Sequence, residues 1–129
     1  MNLLHYISTD IEIHYIKYIK YLAYTEDINI NKIYQLFGYL WTNSKDFKLV
    51  NRYNINIIYD LDGTLSDNDL KKIKNIKKLY SYSPYITDED LKYFKGIKEL
   101  SLFFNTNITD NGLKYLTNLK ELYLNSSKF

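Results

Sequence analysis

Apolar positions divide the chain into two halves with different rhythms. Over residues 4–22, Leu4, Ile7, Ile11, Tyr15, Tyr18 and Leu22 recur three and four apart, the spacing of one helical face, with Ser8-Thr9-Asp10 offering a later start. Ile33, Leu36, Phe37 and Leu40 predict a second helix over residues 30–40. Trp41-Thr42-Asn43-Ser44 reads as a turn with Trp41 as a core anchor, and residues 45–52 as a third short helix or the approach to a strand. From residue 55 onward the rhythm changes. Period-2 segments, Leu100-x-Leu102 and Leu122-x-Leu124, alternate with stretches in which Leu91 and Phe94, or Leu113 and Leu116, sit three apart.

The second half repeats itself. Leu65-Ser66-Asp67-Asn68-Asp69-Leu70 returns as Ile86-Thr87-Asp88-Glu89-Asp90-Leu91 and again as Ile108-Thr109-Asp110-Asn111-Gly112-Leu113. The step from Ile86 to Ile108 is longer by a single residue than the step from Leu65 to Ile86. Ser66 and Thr87 each stand three residues before an aspartate, Asp69 and Asp90, a capping-box start for a short helix. Each unit of one strand and one short helix cannot bury its apolar side alone, so neighbours must stack.

The run Ile97-x-x-Leu100-x-Leu102-x-x-Asn105, followed by Ile108-Thr109-Asp110-Asn111-Gly112-Leu113, resembles the leucine-rich-repeat family, in its Ile-Thr-Asp-x-Gly-Leu subtype. The resemblance covers residues 55–129, about three and a half copies, and departs from the pattern at Ser81, Pro84 and Ser127. It implies an α/β solenoid with parallel strands on a concave side and short helices on the convex side. Residues 1–54 then form a separate helical region capping the solenoid's N-terminal end. Its segments Ile7–Ile11, Ile16–Leu22 and Lys45–Tyr53 resemble an F-box, which implies docking to the Skp adaptor of a cullin-type ubiquitin ligase. The strand holding Leu122 and Leu124 is followed by no capping helix, which leaves an edge for a continuation of the chain, another chain or Phe129 to cover.

A second resemblance competes locally. Ile57-Ile58-Tyr59-Asp60-Leu61-Asp62-Gly63-Thr64 is similar to the first motif of the haloacid-dehalogenase phosphatases, which implies Asp60 as nucleophile, Asp62 as general acid/base and a bound magnesium ion. The repeat reading instead aligns Ile57 with Leu100 and Leu122, Tyr59 with Leu102 and Leu124, and Asp62 with Asn105. It is preferred because residues 66–129 are consumed by repeats, leaving no downstream phosphatase motifs. The chain is therefore expected to be non-enzymatic, with no catalytic residues and no cofactor.

Composition narrows the remaining classes. Seventeen Lys+Arg against 15 Asp+Glu give a net charge of +2, too even for a dedicated nucleic-acid binder. The basic run Lys71, Lys72, Lys74, Lys77, Lys78 reads as a solvated face. With no cysteine, disulfides and thiolate sites are excluded, and His5 and His14 lack the companions a metal site needs. No apolar stretch reaches membrane-spanning length, so the expected location is cytoplasmic, the host cytoplasm for a viral chain. Ile, Asn, Lys and Tyr supply 61 of 129 residues. All four have A/T-rich codons, so tyrosine abundance alone does not mark a binding surface.

In register, the outward residues of the strands form three ladders: Asn56, Lys78, Glu99, Glu121; Ile58, Tyr80, Ser101, Tyr123; and Asp60, Tyr82, Phe103, Asn125. Tyr80, Tyr82, Phe103 and Tyr123 beside Glu99 and Glu121 have the makeup of a protein-binding surface, with an exposed Phe103 its sharpest marker.

Overall fold

A strand presents alternate residues to opposite sides, so a chain that lays one strand beside the last at a near-constant interval builds a sheet with two distinct faces. In the computed structural model, which describes residues 17–19, 21, 24, 25, 27 and 29–125, five parallel strands lie in chain order. They are β1 (Tyr39–Leu40), β2 (Ile57–Asp60), β3 (Lys78–Ser81), β4 (Glu99–Phe103) and β5 (Glu121–Asn125). Besides the helical residues 17–19, 21, 24 and 25, the described helices are α1 (Ile30–Phe37), ahead of the sheet, and α2 (Asp46–Arg52), α3 (Asp67–Lys72), a 3-10 helix at Asp88–Phe94 and α4 (Asp110–Leu113) on the returns between strands. The architecture is α/β, and no described helix is long and apolar enough to cross a membrane.

The core lies between sheet and helices. Ile58, Leu79, Leu100 and Leu122 occupy one row of the sheet, and Asp60, Ser81, Leu102 and Leu124 the next. Ile58, Leu79, Leu100 and Leu102 are fully buried and cluster with Val50, Leu70, Leu91 and Phe94 from the helical returns. Each such side chain contributes roughly 1.5–3 kcal/mol on leaving water. The helix starts form as expected: Ser66 and Thr87 both make capping boxes, with Asp69 and Asp90 accepting from the cap backbone at 2.9 Å.

The register of β2 corrects the alignment read from spacing. Ile58, not Ile57, stands with Leu100 and Leu122, and Asp60, not Tyr59, with Leu102 and Leu124. The interval from Ile58 to Leu79 equals that from Leu79 to Leu100, and the extra residue of the longer repeat lies after β4. Phe104 absorbs it there with φ 60°. Counting the extra residue ahead of the strand shifts β2 by one, which exchanges its two faces.

The sheet also begins earlier than residue 55. β1 pairs with β2, and α2 occupies the same kind of return as α3: Asn51 Nδ2 donates to Lys72 O at 2.6 Å, and its Oδ1 accepts from Lys74 N at 2.8 Å. Trp41 is buried at the junction, as expected, and Asp46 Oδ2 accepts from the N–H groups of Thr42 and Asn43 to hold the turn into α2. The predicted second helix is shorter than its apolar rhythm. Ile33 is buried, but Leu36 and Phe37 are exposed, and Leu40 belongs to β1. The helix stops because Gly38 takes φ 103°. In the first predicted stripe Tyr18 is exposed and its neighbour Ile19 is buried, while Leu4, Ile7, Ile11, Tyr15 and Leu22 lie outside the described residues.

Gly38 also lets the Tyr59 ring lie against the backbone just ahead of β1, since a side chain there would come within 2.8 Å of Ile57 Cγ2 and closer still to that ring. Gly38→Ala should therefore cost about 2 kcal/mol in urea unfolding, combining the strained φ with the clash. A loss below a few tenths would show that this contact is not restrictive.

Candidate functional site

The sheet face opposite the helical returns carries the candidate residues. Its observed rows are Ile57, Lys78, Glu99, Glu121, and Tyr59, Tyr80, Ser101, Tyr123, with Phe103 beside Asn125 in a third. Tyr59 and Tyr80 stack with ring centres 5.0 Å apart and planes 15° from parallel. Tyr80 donates its hydroxyl to Glu99 Oε2 at 2.5 Å, and Lys78 Nζ lies 3.3 Å from Glu99 Oε1. Burial, then the hydrogen bond to Glu99, hold the Tyr80 hydroxyl protonated well above the ordinary tyrosine range. Burial also raises the Tyr59 and Tyr82 hydroxyls above the ordinary value. These phenols act as neutral donors and flat contact surfaces.

All six expected contact residues thus belong to one face, but they differ in access. Tyr80, Tyr82 and Glu99 are half-buried, Glu121 is exposed and Tyr123 is 38 % exposed. Phe103 is the correction: it is 2 % exposed, stacked 4.8 Å from Tyr82. An exposed phenylalanine does sit beside it, Phe104, whose ring centre is 6.0 Å from Tyr82. Spacing could not separate the two, because only the left-handed backbone of Phe104 turns its ring outward. Tyr59 was missed for the register reason given above. Of the first-strand residues expected on these ladders, Ile58 and Asp60 face the core instead.

Asp60 and Asp62 do not meet at an accessible site. Asp62 lies on the loop after β2 and is exposed, whereas Asp60 is fully buried with both carboxylate oxygens bonded. Oδ1 accepts from Thr64 N at 3.0 Å, and Oδ2 from Leu65 N at 3.1 Å and Ser81 Oγ at 2.7 Å. Burial nevertheless pushes its carboxyl above the ordinary range, the hydrogen bonds opposing and the charge of Asp62 adding a smaller push. The Ser81 departure now has a reason: its hydroxyl faces Asp60 across β2–β3 and accepts from Ser83 N at 2.9 Å. Two anomalies one repeat apart, an acid and a serine in an apolar row, were the signal in the sequence.

Other surfaces are less focused. Lys78 faces the tyrosine rows, whereas Lys71 and Lys72 ride on α3, so the basic run is split between faces. A cleft of about 260 Å³ on the helical side mixes Asp67, Glu89 and Asp90 with Lys71 and Lys92. No group of three His, Cys, Asp or Glu that could hold a metal occurs among the described residues, which do not include His5 and His14. Comparison with protein-family models, with curated proteins and with solved structures finds no match to this chain.

Asp60→Ala leaves three donors without an acceptor and should cost about 3 kcal/mol in denaturant unfolding. Because the folded-state pKa is raised, the native state holds a proton that the unfolded state has released. Wild-type stability relative to Asp60→Asn should therefore fall as pH rises from the ordinary aspartate range through the raised value, and level off above it. A flat or rising difference in urea titrations between pH 3 and 7 (roughly, spanning ordinary carboxylates) would contradict the burial assignment.

Proposed function

We propose that this chain is a short leucine-rich-repeat module, non-enzymatic, that binds a partner protein on the tyrosine and glutamate face of its sheet. The observation that carries the reading is the strip made by stacked Tyr59 and Tyr80, Glu99 held by Tyr80 and Lys78, and the accessible Glu121 and Tyr123. Stacked, hydrogen-bonded rings lose little side-chain freedom on contact, which is why tyrosines serve as anchors. With Glu99 paired to Lys78, the exposed carboxylate of Glu121 favours a partner that brings a basic group to that end of the strip.

The repeat reading gains support from the strand order, the even register of β2, β3 and β4, and the Asn105 contacts at the end of β4. Asn105 Nδ2 donates to Ser83 O at 3.2 Å and Ile86 O at 2.8 Å, tying consecutive units where the Leu-x-x-Leu-x-Leu-x-x-Asn pattern requires an asparagine. Coupling to a Skp adaptor falls to the residues ahead of α1, since Lys45–Tyr53 is engaged in the sheet's own stacking through Val50 and Asn51. The segment Ile7–Ile11 lies outside the described residues, and Ile16–Leu22 lies only partly within them.

The experiment is affinity capture on the full chain, with and without Glu121→Lys combined with Tyr123→Ser, each probed for purified Skp adaptor and for extract proteins. Both residues are exposed, so circular dichroism should stay unchanged while strip-bound protein falls at least tenfold. Phe103→Ser, by contrast, should lower stability by about 3 kcal/mol because it empties a buried site. Undiminished capture by the double variant would remove the strip from the proposal, and absence of the adaptor from the wild-type capture would remove the ubiquitin-ligase role.

A further inference from the structure

The last strand of the sheet differs from the others. Ile58, Leu79, Leu100 and Leu102 are 0 % exposed in the two inward rows, but Leu122 and Leu124, which continue those rows on β5, are 37 % and 41 % exposed. β5 is the sheet's edge among the described residues. Natural edges are blunted by charged side chains, proline or a bulge within the strand; of these Glu121-Leu122-Tyr123-Leu124-Asn125 has only the charge of Glu121 at its start, and it runs in unbroken register with β4. The opposite edge, β1, is only two residues long.

The direction of the free backbone groups follows from the ladder. Glu121 N donates to Lys98 O at 3.1 Å, so Glu121 faces β4. In a parallel ladder alternate residues face the same neighbour, so Tyr123 and Asn125 face β4 too. The N–H and C=O groups of Leu122 and Leu124 therefore point off the edge.

The geometry points to a second copy of this chain as the occupant: two β5 strands paired antiparallel about a twofold axis at Tyr123. The segment is self-complementary about that residue, as an isologous interface requires. Leu122 of one copy lies opposite Leu124 of the other and exchanges both backbone bonds with it, twice by symmetry. The two inward leucine rows then continue from one copy into the next and close over each other. Tyr123 meets Tyr123 as a non-hydrogen-bonded pair on the other face, and the row begun by Tyr59 and Tyr80 runs on into the partner. Charge agrees with this pairing, since Glu121 falls opposite the neutral Asn125, whereas an in-register parallel pairing would set Glu121 against Glu121.

The chain has no cysteine, so introduced thiols report the pairing directly. In the twofold arrangement the Tyr123 Cα atoms are about 4.5 Å apart, within disulfide reach, whereas the two Glu121 positions are separated by about 14 Å. Sedimentation equilibrium of the full chain should give a species of twice the 15.5 kDa chain mass that dissociates on dilution. Leu124→Asp should halve that mass with an unchanged circular dichroism spectrum. Under mild oxidation Tyr123→Cys should form a covalent dimer and Glu121→Cys should not. A wild type that is monomeric at every concentration, a dimer that survives Leu124→Asp, or crosslinking through Glu121→Cys equal to that through Tyr123→Cys overturns the pairing. Leu124 faces inward, away from the tyrosine strip, so Leu124→Asp separates self-association from the partner binding proposed above.

Discussion

The structure depends on satisfying backbone groups where each strand gives way to its return. A strand inside a sheet has its N–H and C=O groups paired, but the chain leaving it is still buried, and unpaired groups there would each cost about 1–3 kcal/mol. A line of buried polar side chains supplies the partners. Asp60 accepts from Thr64 N and Leu65 N, Ser81 donates to Asp60 and accepts from Ser83 N, Ser83 Oγ donates to Leu65 O, and Asn105 reaches back to Ser83 O and Ile86 O. Each contact beyond the local loop joins one unit to the next. The turns and the stacking of units are thus the same set of bonds, and the apolar rows can seal only where that line is complete.

A second set of contacts works on the surface. Asn54 accepts from Asn75, Asn107 donates to Pro84 O, Asn118 donates to Lys95 O, and Asp88 accepts from Thr109 N at 2.8 Å. The hydrogen bonds from Thr109 lower the Asp88 carboxyl below the ordinary range. Gly112 passes so close to Asp88 that no larger side chain fits there without displacing that carboxylate. The abundant asparagines therefore include several side chains that bridge units. Tyrosine is similar: Tyr59, Tyr80 and Tyr82 are stacked in pairs on the sheet, whereas Tyr24 and Tyr85 lie largely in solvent.

The candidate face was legible to the extent that period-2 alternation is legible. Tyr80, Glu99, Glu121 and Tyr123 follow from Leu79, Leu100 and Leu122 facing inward, because neighbours along a strand must face the other way. Phe103 has the right parity and is nonetheless buried, with Tyr82 stacked on one side of its ring. Parity assigns a face but says nothing of what lies over it.

Periodicity along the chain was enough to specify the repeat, its helix starts and the inward leucines. These are local or periodic properties: a capping box spans three residues, and an apolar row needs only a constant spacing. Tertiary structure decided the register of β2, the start of the sheet at Tyr39, and the burial of Asp60 as an acceptor of three hydrogen bonds. The physical reason is that strand pairing joins positions far apart in the chain, which no local pattern encodes. The equal intervals Ile86–Leu100 and Ile108–Leu122 confine the extra residue to the stretch between Leu100 and Ile108, but they do not say which parity the first repeat's strand adopts. The ladder sets β2, β3 and β4 at one constant interval and leaves the extra residue after β4, where Phe104 takes a left-handed backbone, and so fixes which side chains of β2 reach the core.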